Sequence, residues 1–156
     1  MARSSLDLAR YIIHLLYKHN FEVSNTKVQK ILYCYLGFGL AKKIPKKEII
    51  DELPQAWDRG PVFPKVFSML KGYKNLRMFA LDMEGELSKL ENEIMKKTVI
   101  LLGAFGAGHL STWTHLPNSP WDIVYNLQNA RYAIIPLEII KDYFEEEVED
   151  LEANFK

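Results

Sequence analysis

The sequence contains a single cysteine, Cys34, among its 156 residues. One thiol cannot form a disulfide within the chain, and it cannot build a cysteine-based zinc cluster. Cys34 lies in an apolar run, ILYCYLGF, which is typical of a buried and unreactive thiol. The sequence therefore predicts a fold that is stabilised by its apolar core alone.

Long hydrophobic runs are also absent. The longest apolar stretch, VILLGAFGAG at residues 99–108, is well short of the roughly 18 residues that a membrane-spanning helix requires. The first ten residues, MARSSLDLAR, carry charges where a secretory signal would be apolar. We therefore expect a cytoplasmic protein without a membrane partner.

Motifs for catalysis and for metal binding are missing as well. No two of the four histidines lie three or four residues apart, so the spacing of zinc ligands on a helix does not occur. The sequence has no P-loop and no GxSxG, and GAFGAGHL at residues 103–110 does not match a dinucleotide-binding fingerprint. Cys34 paired with a histidine is the one candidate nucleophile that the absence of these motifs does not exclude. The apolar neighbours of Cys34 disfavour its thiolate form. We expect no enzyme, with no catalytic, cofactor-binding or metal-binding residues and no cofactor.

The charges are balanced overall but unevenly distributed. Residues 1–78 hold 14 Lys and Arg against 6 Asp and Glu, and residues 79–156 hold 6 against 14, so the halves carry +8 and −8. One interpretation is a basic face that binds nucleic acid or an acidic partner. The interpretation that we favour is that the two halves neutralise each other within one fold.

The patterning predicts a mainly α protein: a compact single-domain helical fold of about six helices with at most a small β element. Residues 1–156 form one domain, with an acidic end to the last helix at residues 145–156. Ser24 and Ser119 are the clearest N-caps, and Pro120 fits the first helical position after Ser119. The predicted helices begin near Ser4 or Ser5, at Ser24, at Gly60 or Pro61, near Leu87, near Leu110, at Ser119 and at Pro136. Residues 46–52 suit one helical turn, and residues 75–85 suit a short strand or an irregular loop.

The stretch AWDRGPVFPKVF at residues 56–67 combines large aromatic residues with glycine and two prolines, which predicts a turn fixed to the core. We expect Gly60 to supply a backbone conformation or a close approach that a side chain would forbid, and Pro61 to begin the next helix. Trp57 would anchor the turn, with Asp58 and Arg59 facing outward. In the alternative interpretation, Trp57 and Arg59 belong to a partner-binding patch.

The stretch THLPNSPW at residues 114–121 poses a similar choice. A buried corner between two helices would place His115 in a hydrogen bond with the backbone near Ser119. The alternative is a ligand or nucleotide pocket between His115, Trp121 and Arg59.

The first two helices also allow a helix-turn-helix-like DNA-binding regulator. Lys27, Gln29 and Lys30 lie at the start of the second helix, where a recognition helix presents polar residues to base edges. The same helix is apolar almost all round, with Tyr35 and Leu36 among its residues, which favours a central core helix. We therefore rank nucleic acid below protein as a partner.

Three motifs occur together in one order: SNTKVQKILYCYLG at residues 24–37, AWDRGPV at 56–62 and THLPNSPW at 114–121. With these motifs, residues 6–144 resemble the Panacea antitoxin domain, also known as the SocA-like or GepA-like phage-associated family. Val28 stands where that family usually has leucine, and Asp58 occupies a variable position. The residues that we assign to the motifs, in structural or partner-binding roles, are Ser24, Lys27, Gln29, Lys30, Tyr33, Trp57, Arg59, Gly60, Pro61, Val62, Thr114, His115, Pro120 and Trp121.

The resemblance implies a small helical protein of bacterial or prophage origin. Members of the family neutralise a toxin encoded by a neighbouring gene by binding it, so the implied partner is a cognate toxin protein. One branch resembles a proteolytic adaptor that delivers its toxin to an AAA+ protease, which would then be a second partner.

Overall fold

Helices make up most of the chain in the computed structural model, which describes the backbone of residues 1–154 and the side chains of residues 1–146. The α-helices are α1 (Ser5–Lys18), α2 (Asn25–Ala41), α3 (Lys46–Ile49), α4 (Pro64–Leu70), α5 (Lys89–Gly103), α6 (Ala107–Thr114), α7 (Pro120–Asp122) and α8 (Leu137–Asn154). The strands are β1 (Gln55–Trp57) and β2 (Gly60–Val62). The prediction of a mainly α fold with a small β element is confirmed. Within the described residues there are eight α-helices where about six were predicted, because the single turn that residues 46–52 suit forms α3 and the helix predicted after Ser119 is the short α7.

Helix α2 lies at the centre of the fold. It packs against α1, α5, α6 and α8, and its side chains are buried from residue 27 to residue 40. A Cβ atom at Gly37 would lie 2.3 Å from the ring of Phe144, so this glycine lets the backbone of α2 approach α8 closely. The prediction that α2 is a core helix is confirmed.

Serine side chains cap the helices where the sequence predicts them. The hydroxyl of Ser24 accepts a hydrogen bond from the backbone N–H of Lys27, and the hydroxyl of Ser119 accepts one from Asp122. Pro120 occupies the first turn of α7, and a π-helical segment, Ile123–Leu127, continues it. Local side-chain chemistry therefore sets where these helices begin.

The small sheet is an antiparallel hairpin, hereafter the hairpin, in which Trp57 pairs with Gly60. Residues 132–135 run along the outer edge of β1, where the N–H of Ala56 donates to the carbonyl of Ala133 over 2.9 Å. The sequence prediction that Pro61 begins a helix is wrong. Pro61 lies in β2, and Pro64 provides the first helical turn of α4, because the pairing of β1 with β2 holds residues 60–62 extended.

The segment over residues 75–85 forms a short 3-10 helix, Arg77–Phe79, and an irregular loop held against α1. Arg10 donates from Nε to the carbonyl of Phe79 over 2.9 Å, and Tyr17 accepts the N–H of Leu76. The sequence predicts either a short strand or an irregular loop here, and the structure has the irregular loop.

Ion pairs connect the basic first half of the chain to the acidic second half. Arg3 pairs with Glu91 over 2.9 Å, Lys43 pairs with Glu145 over 3.2 Å, and Lys46 pairs with Glu138. These pairs support the interpretation in which the two halves neutralise each other. Residues 147–156 of the acidic stretch lie outside the described side chains. Within the described part of the chain, no helix has the length and apolar character needed to cross a membrane.

Candidate functional site

The three sequence motifs meet at the hairpin. Residues 24–33 at the start of α2 lie on one side of it, and residues 114–121 at the corner between α6 and α7 lie on the other. Side chains of both segments form hydrogen bonds with the backbone of residues 57–63. We call this arrangement the motif cluster.

On the α2 side, two buried polar side chains bind the backbone at the end of the hairpin. Gln29 accepts the N–H of Phe63 at Oε1 over 2.8 Å, and its Nε2 donates to Asn25 over 3.2 Å. Lys30 donates from Nζ to the carbonyl of Pro61 over 3.0 Å. Buried backbone groups need such partners, because an unpaired one costs on the order of 1–3 kcal/mol. Gln29 and Lys30 therefore join the hairpin to the core helix.

On the other side, two ring side chains bind the hairpin turn. The indole Nε1 of Trp121 donates to the carbonyl of Trp57 over 2.6 Å. The imidazole of His115 lies with Nε2 3.1 Å from the carbonyl oxygen of Asp58 and Nδ1 2.5 Å from that of Ser111. The rings of His115 and Trp121 stack at a tilt, with centroids 3.8 Å apart.

The sequence predicts a hydrogen bond from His115 to the backbone near Ser119, and that prediction is wrong. His115 reaches Asp58 and Ser111 instead. The hydroxyl of Ser119 closes the corner by donating to the carbonyl of Thr114 over 2.9 Å. The predicted buried corner is found only in part: Thr114 and residues 119–121 are buried, whereas His115 is half-buried and residues 116–118 are exposed.

Gly60 lies at the centre of the motif cluster with a φ of 115°, which side-chain-bearing residues rarely adopt. A Cβ atom there would lie 2.6 Å from Oγ1 of Thr114 and 3.1 Å from Nζ of Lys30. Both predicted reasons for the glycine, an unusual backbone conformation and a close approach, are therefore found at this residue.

The two turn residues, Asp58 and Arg59, are exposed. The carboxylate of Asp58 accepts hydrogen bonds from the hydroxyls of Tyr125 over 2.5 Å and Tyr132 over 2.9 Å. These two hydrogen bonds lower the pKa of Asp58 and so keep its carboxylate ionised, and the bond from Tyr125 has the larger effect. Arg59 makes no ion pair among the described residues.

The lysines of the first motif are buried. Lys30 is 1% exposed and Lys27 is 2% exposed. Burial lowers the pKa of Lys30 to about 7, and it lowers the pKa of Lys27 as well. Nζ of Lys27 lies 5.9 Å from the ring centroid of Phe21, so this amine also packs against apolar surface.

Two cavities flank the hairpin turn. The turn cavity has a volume of about 300 Å³, and the main side chains that line it are Gln29, Lys30, Trp57, Arg59, Phe67 and Tyr132. The corner cavity has a volume of about 540 Å³ and lies against α6 and His115. Thr26, Asp58 and Arg59 line both cavities, so the two adjoin at the turn.

The remaining motif residues support the core. Tyr33 is buried edge-on against Phe144, with ring centroids 5.6 Å apart. Val62 and Pro120 are buried, and Trp57 is half-buried. The ligand pocket predicted between His115, Trp121 and Arg59 differs from the cavities observed, because Trp121 is buried behind the turn and lines neither of them.

Several residues at this site escape sequence reasoning. Tyr125, Tyr132 and Phe67 lie outside the three motifs, and only the fold brings them to Asp58 and Trp57. The only local pattern in this segment is the sequence Tyr-Ala-Ile-Ile at residues 132–135, whose tyrosine and isoleucines favour a short extended strand.

The Cys34 thiol is poorly suited to act as a nucleophile. Burial raises the pKa of the Cys34 thiol far above its usual range, which disfavours a thiolate. No group of three or more His, Cys, Asp or Glu side chains that could hold a metal ion occurs in the described part of the chain.

Comparison with known proteins gives no relative. No family model matches the chain, and neither the curated proteins nor the solved structures contain a significant match.

The motif cluster predicts that Gly60 is essential for stability. Gly60→Val should lower the free energy of unfolding by about 1–3 kcal/mol, because the new side chain meets Thr114 and the backbone is strained. Arg59→Ala, at the exposed neighbouring position, should leave it nearly unchanged. Thermal or urea unfolding followed by circular dichroism measures both, and equal transitions for wild type and Gly60→Val would contradict the close approach.

The buried amine of Lys30 predicts a pH-dependent stability. Between the folded pKa of about 7 and the ordinary value of 10.5, the unfolded chain binds more protons at Lys30 than the folded chain. Stability contributed by this residue should therefore rise with pH, by at most about 1.4 kcal/mol per unit. We expect wild type to gain stability relative to Lys30→Met from pH 7.5 to 9.5 in urea unfolding. A difference that does not change with pH would show that the amine is solvated.

Proposed function

We propose that this chain is a cytoplasmic antitoxin of the Panacea type, which neutralises a toxin encoded by a neighbouring gene through direct protein contact. One observation carries the proposal: the three motifs on which the resemblance rests are far apart in sequence, yet they meet in a single hydrogen-bonded cluster. Their convergence supports the interpretation that the motifs form one structural unit, as the resemblance implies.

The arrangement of the cluster suits a binding protein. Its inner residues, such as Gln29 and Lys30, are occupied with the backbone of the hairpin. Its outer residues, Trp57, Arg59 and Tyr132, belong to the residue types that most often anchor protein interfaces. A stable interface needs roughly 800 Å² from each partner, about a tenth of the surface of a protein of this size.

Sequence-specific DNA binding is the weaker proposal. It depends on the polar residues at the start of α2, and a reader of DNA needs cations that reach phosphates or base edges. Lys27 and Lys30 are both buried, and Gln29 is bonded to Phe63. The helix proposed for recognition is thus occupied by the core of its own protein.

Co-expression with the neighbouring gene tests the proposed function. We expect the chain to restore growth to cells that express the toxin, and we expect the two proteins to co-purify without an added cofactor. Arg59→Glu should weaken co-purification by about tenfold or more, because it reverses the positive charge that the turn presents, which has no ion pair among the described residues. Lys74→Glu is the matched control, since it makes the same charge change at an exposed residue away from the turn.

The same experiment separates a direct blocker from a proteolytic adaptor. A blocker protects cells that lack the relevant AAA+ protease, whereas an adaptor protects only cells that contain it. Rescue with no complex in any strain would contradict both forms of the proposal, and so would a complex that leaves the toxin active in every strain.

A further inference from the structure

Aromatic side chains form rigid walls around the turn cavity. The ring centroid of Trp57 lies 5.0 Å from that of Phe67 and 5.9 Å from that of Tyr132, and both pairs meet edge-on. The indole Nε1 of Trp57 donates to Oε1 of Gln55 over 2.9 Å, which fixes the orientation of the ring. An apolar group that enters the cavity therefore meets surface that is already ordered, so binding costs little conformational entropy.

Cationic groups border the same cavity. Arg59 is exposed at its rim, and its neighbour Asp58 directs both carboxylate oxygens to tyrosine hydroxyls. Lys30 lines the inner side of the cavity and donates from Nζ to the carbonyl of Pro61. The cavity thus combines an apolar wall with the exposed guanidinium of Arg59, which has no ion pair among the described residues.

We propose that the turn cavity binds an apolar or aromatic side chain of a protein partner that lies next to an aspartate or glutamate in the partner's sequence. The side chain would pack against Trp57 and Phe67, and the neighbouring carboxylate would pair with Arg59. This inference depends on the proposed function, because it gives the chemistry of the segment that the toxin presents.

The shape of the surface favours a protein segment over a free small acid. The corner cavity adjoins the turn cavity and adds a volume of about 540 Å³ on the far side of Asp58 and Arg59. A polypeptide can place one side chain in the turn cavity and continue past Arg59 into the corner cavity.

Short blocked peptides test the inference on the isolated protein. The probes are acetyl-Gly-Trp-Glu-Gly-amide and, as its charge-reversed match, acetyl-Gly-Trp-Lys-Gly-amide; free indole-3-acetate is the third probe. We expect the glutamate peptide to bind with a dissociation constant on the order of 1 mM, as fragments of this size do, and at least about fivefold more tightly than the lysine peptide. Titration followed by ¹H–¹⁵N correlation spectra gives both the affinity and the location, and the shifts should centre on Thr26, the Trp57 indole and Arg59.

Variants of two exposed cations complete the experiment. Arg59→Gln should weaken the glutamate peptide at least about threefold, and Lys74→Gln should leave its affinity unchanged, although both remove one positive charge from the surface. Because Arg59 is exposed, the main comparison does not depend on a variant that disturbs folding.

Three results would overturn the inference: equal affinity for the two peptides, shifts that lie away from the hairpin, or binding of indole-3-acetate without binding of the glutamate peptide. The last result would assign the cavity to a small aromatic acid. Rescue of toxin-expressing cells without peptide binding would refute this inference and leave the proposed function intact. Peptide binding without rescue of the cells would support the binding chemistry of the turn cavity and would count against the proposed function.

Discussion

The fold depends on the way in which two polar side chains of a buried helix satisfy the backbone of the hairpin. Gln29 accepts from Phe63 and Lys30 donates to Pro61, and both side chains are almost fully buried. Without them, the end of β2 would present unpaired groups to the core, at a cost of about 1–3 kcal/mol for each. Gly60 leaves room for this packing, because a Cβ atom there would lie 2.6 Å from Oγ1 of Thr114 and 3.1 Å from Nζ of Lys30.

This constraint explains why a motif rich in polar residues need not signal catalysis. A lysine and a glutamine at the start of a helix suggest a surface that reads DNA or a ligand, whereas here they are internal partners of the main chain. The residues that remain available to a partner are held in position by the motif cluster. Trp121 donates to the carbonyl of Trp57, and His115 contacts the carbonyl of Asp58 in the Asp58–Arg59 turn. A rigid turn presented in this way loses little entropy when it binds.

Sequence reasoning was sufficient for features set by local chemistry. The caps at Ser24 and Ser119, the central position of α2 and the strain at Gly60 follow from residues close together in the chain. It was insufficient where distant segments decide the structure. Pro61 suits the start of a helix, and it is extended because β1 pairs with it.

The candidate site shows the same division. The motifs identify Trp57, Arg59 and His115, but they do not identify Tyr125 and Tyr132, which hold Asp58. Those tyrosines reach the turn through the path of residues 123–135, and no short-range pattern encodes that path. The acceptors of His115 were unpredictable for the same reason, since one of them lies 57 residues away in sequence.

We propose that the hairpin turn and the start of α2 form the face that binds a protein partner. Hydrogen–deuterium exchange of the chain alone and of the chain mixed with the protein encoded by the neighbouring gene tests this proposal. The amides of residues 25–26 and 58–59 are the informative ones, because the first N–H groups of a helix and those of an exposed turn exchange rapidly until a partner covers them. The account predicts slower exchange at these amides in the complex. Protection confined to the outer face of α5, with unchanged exchange at residues 58–59, would contradict it.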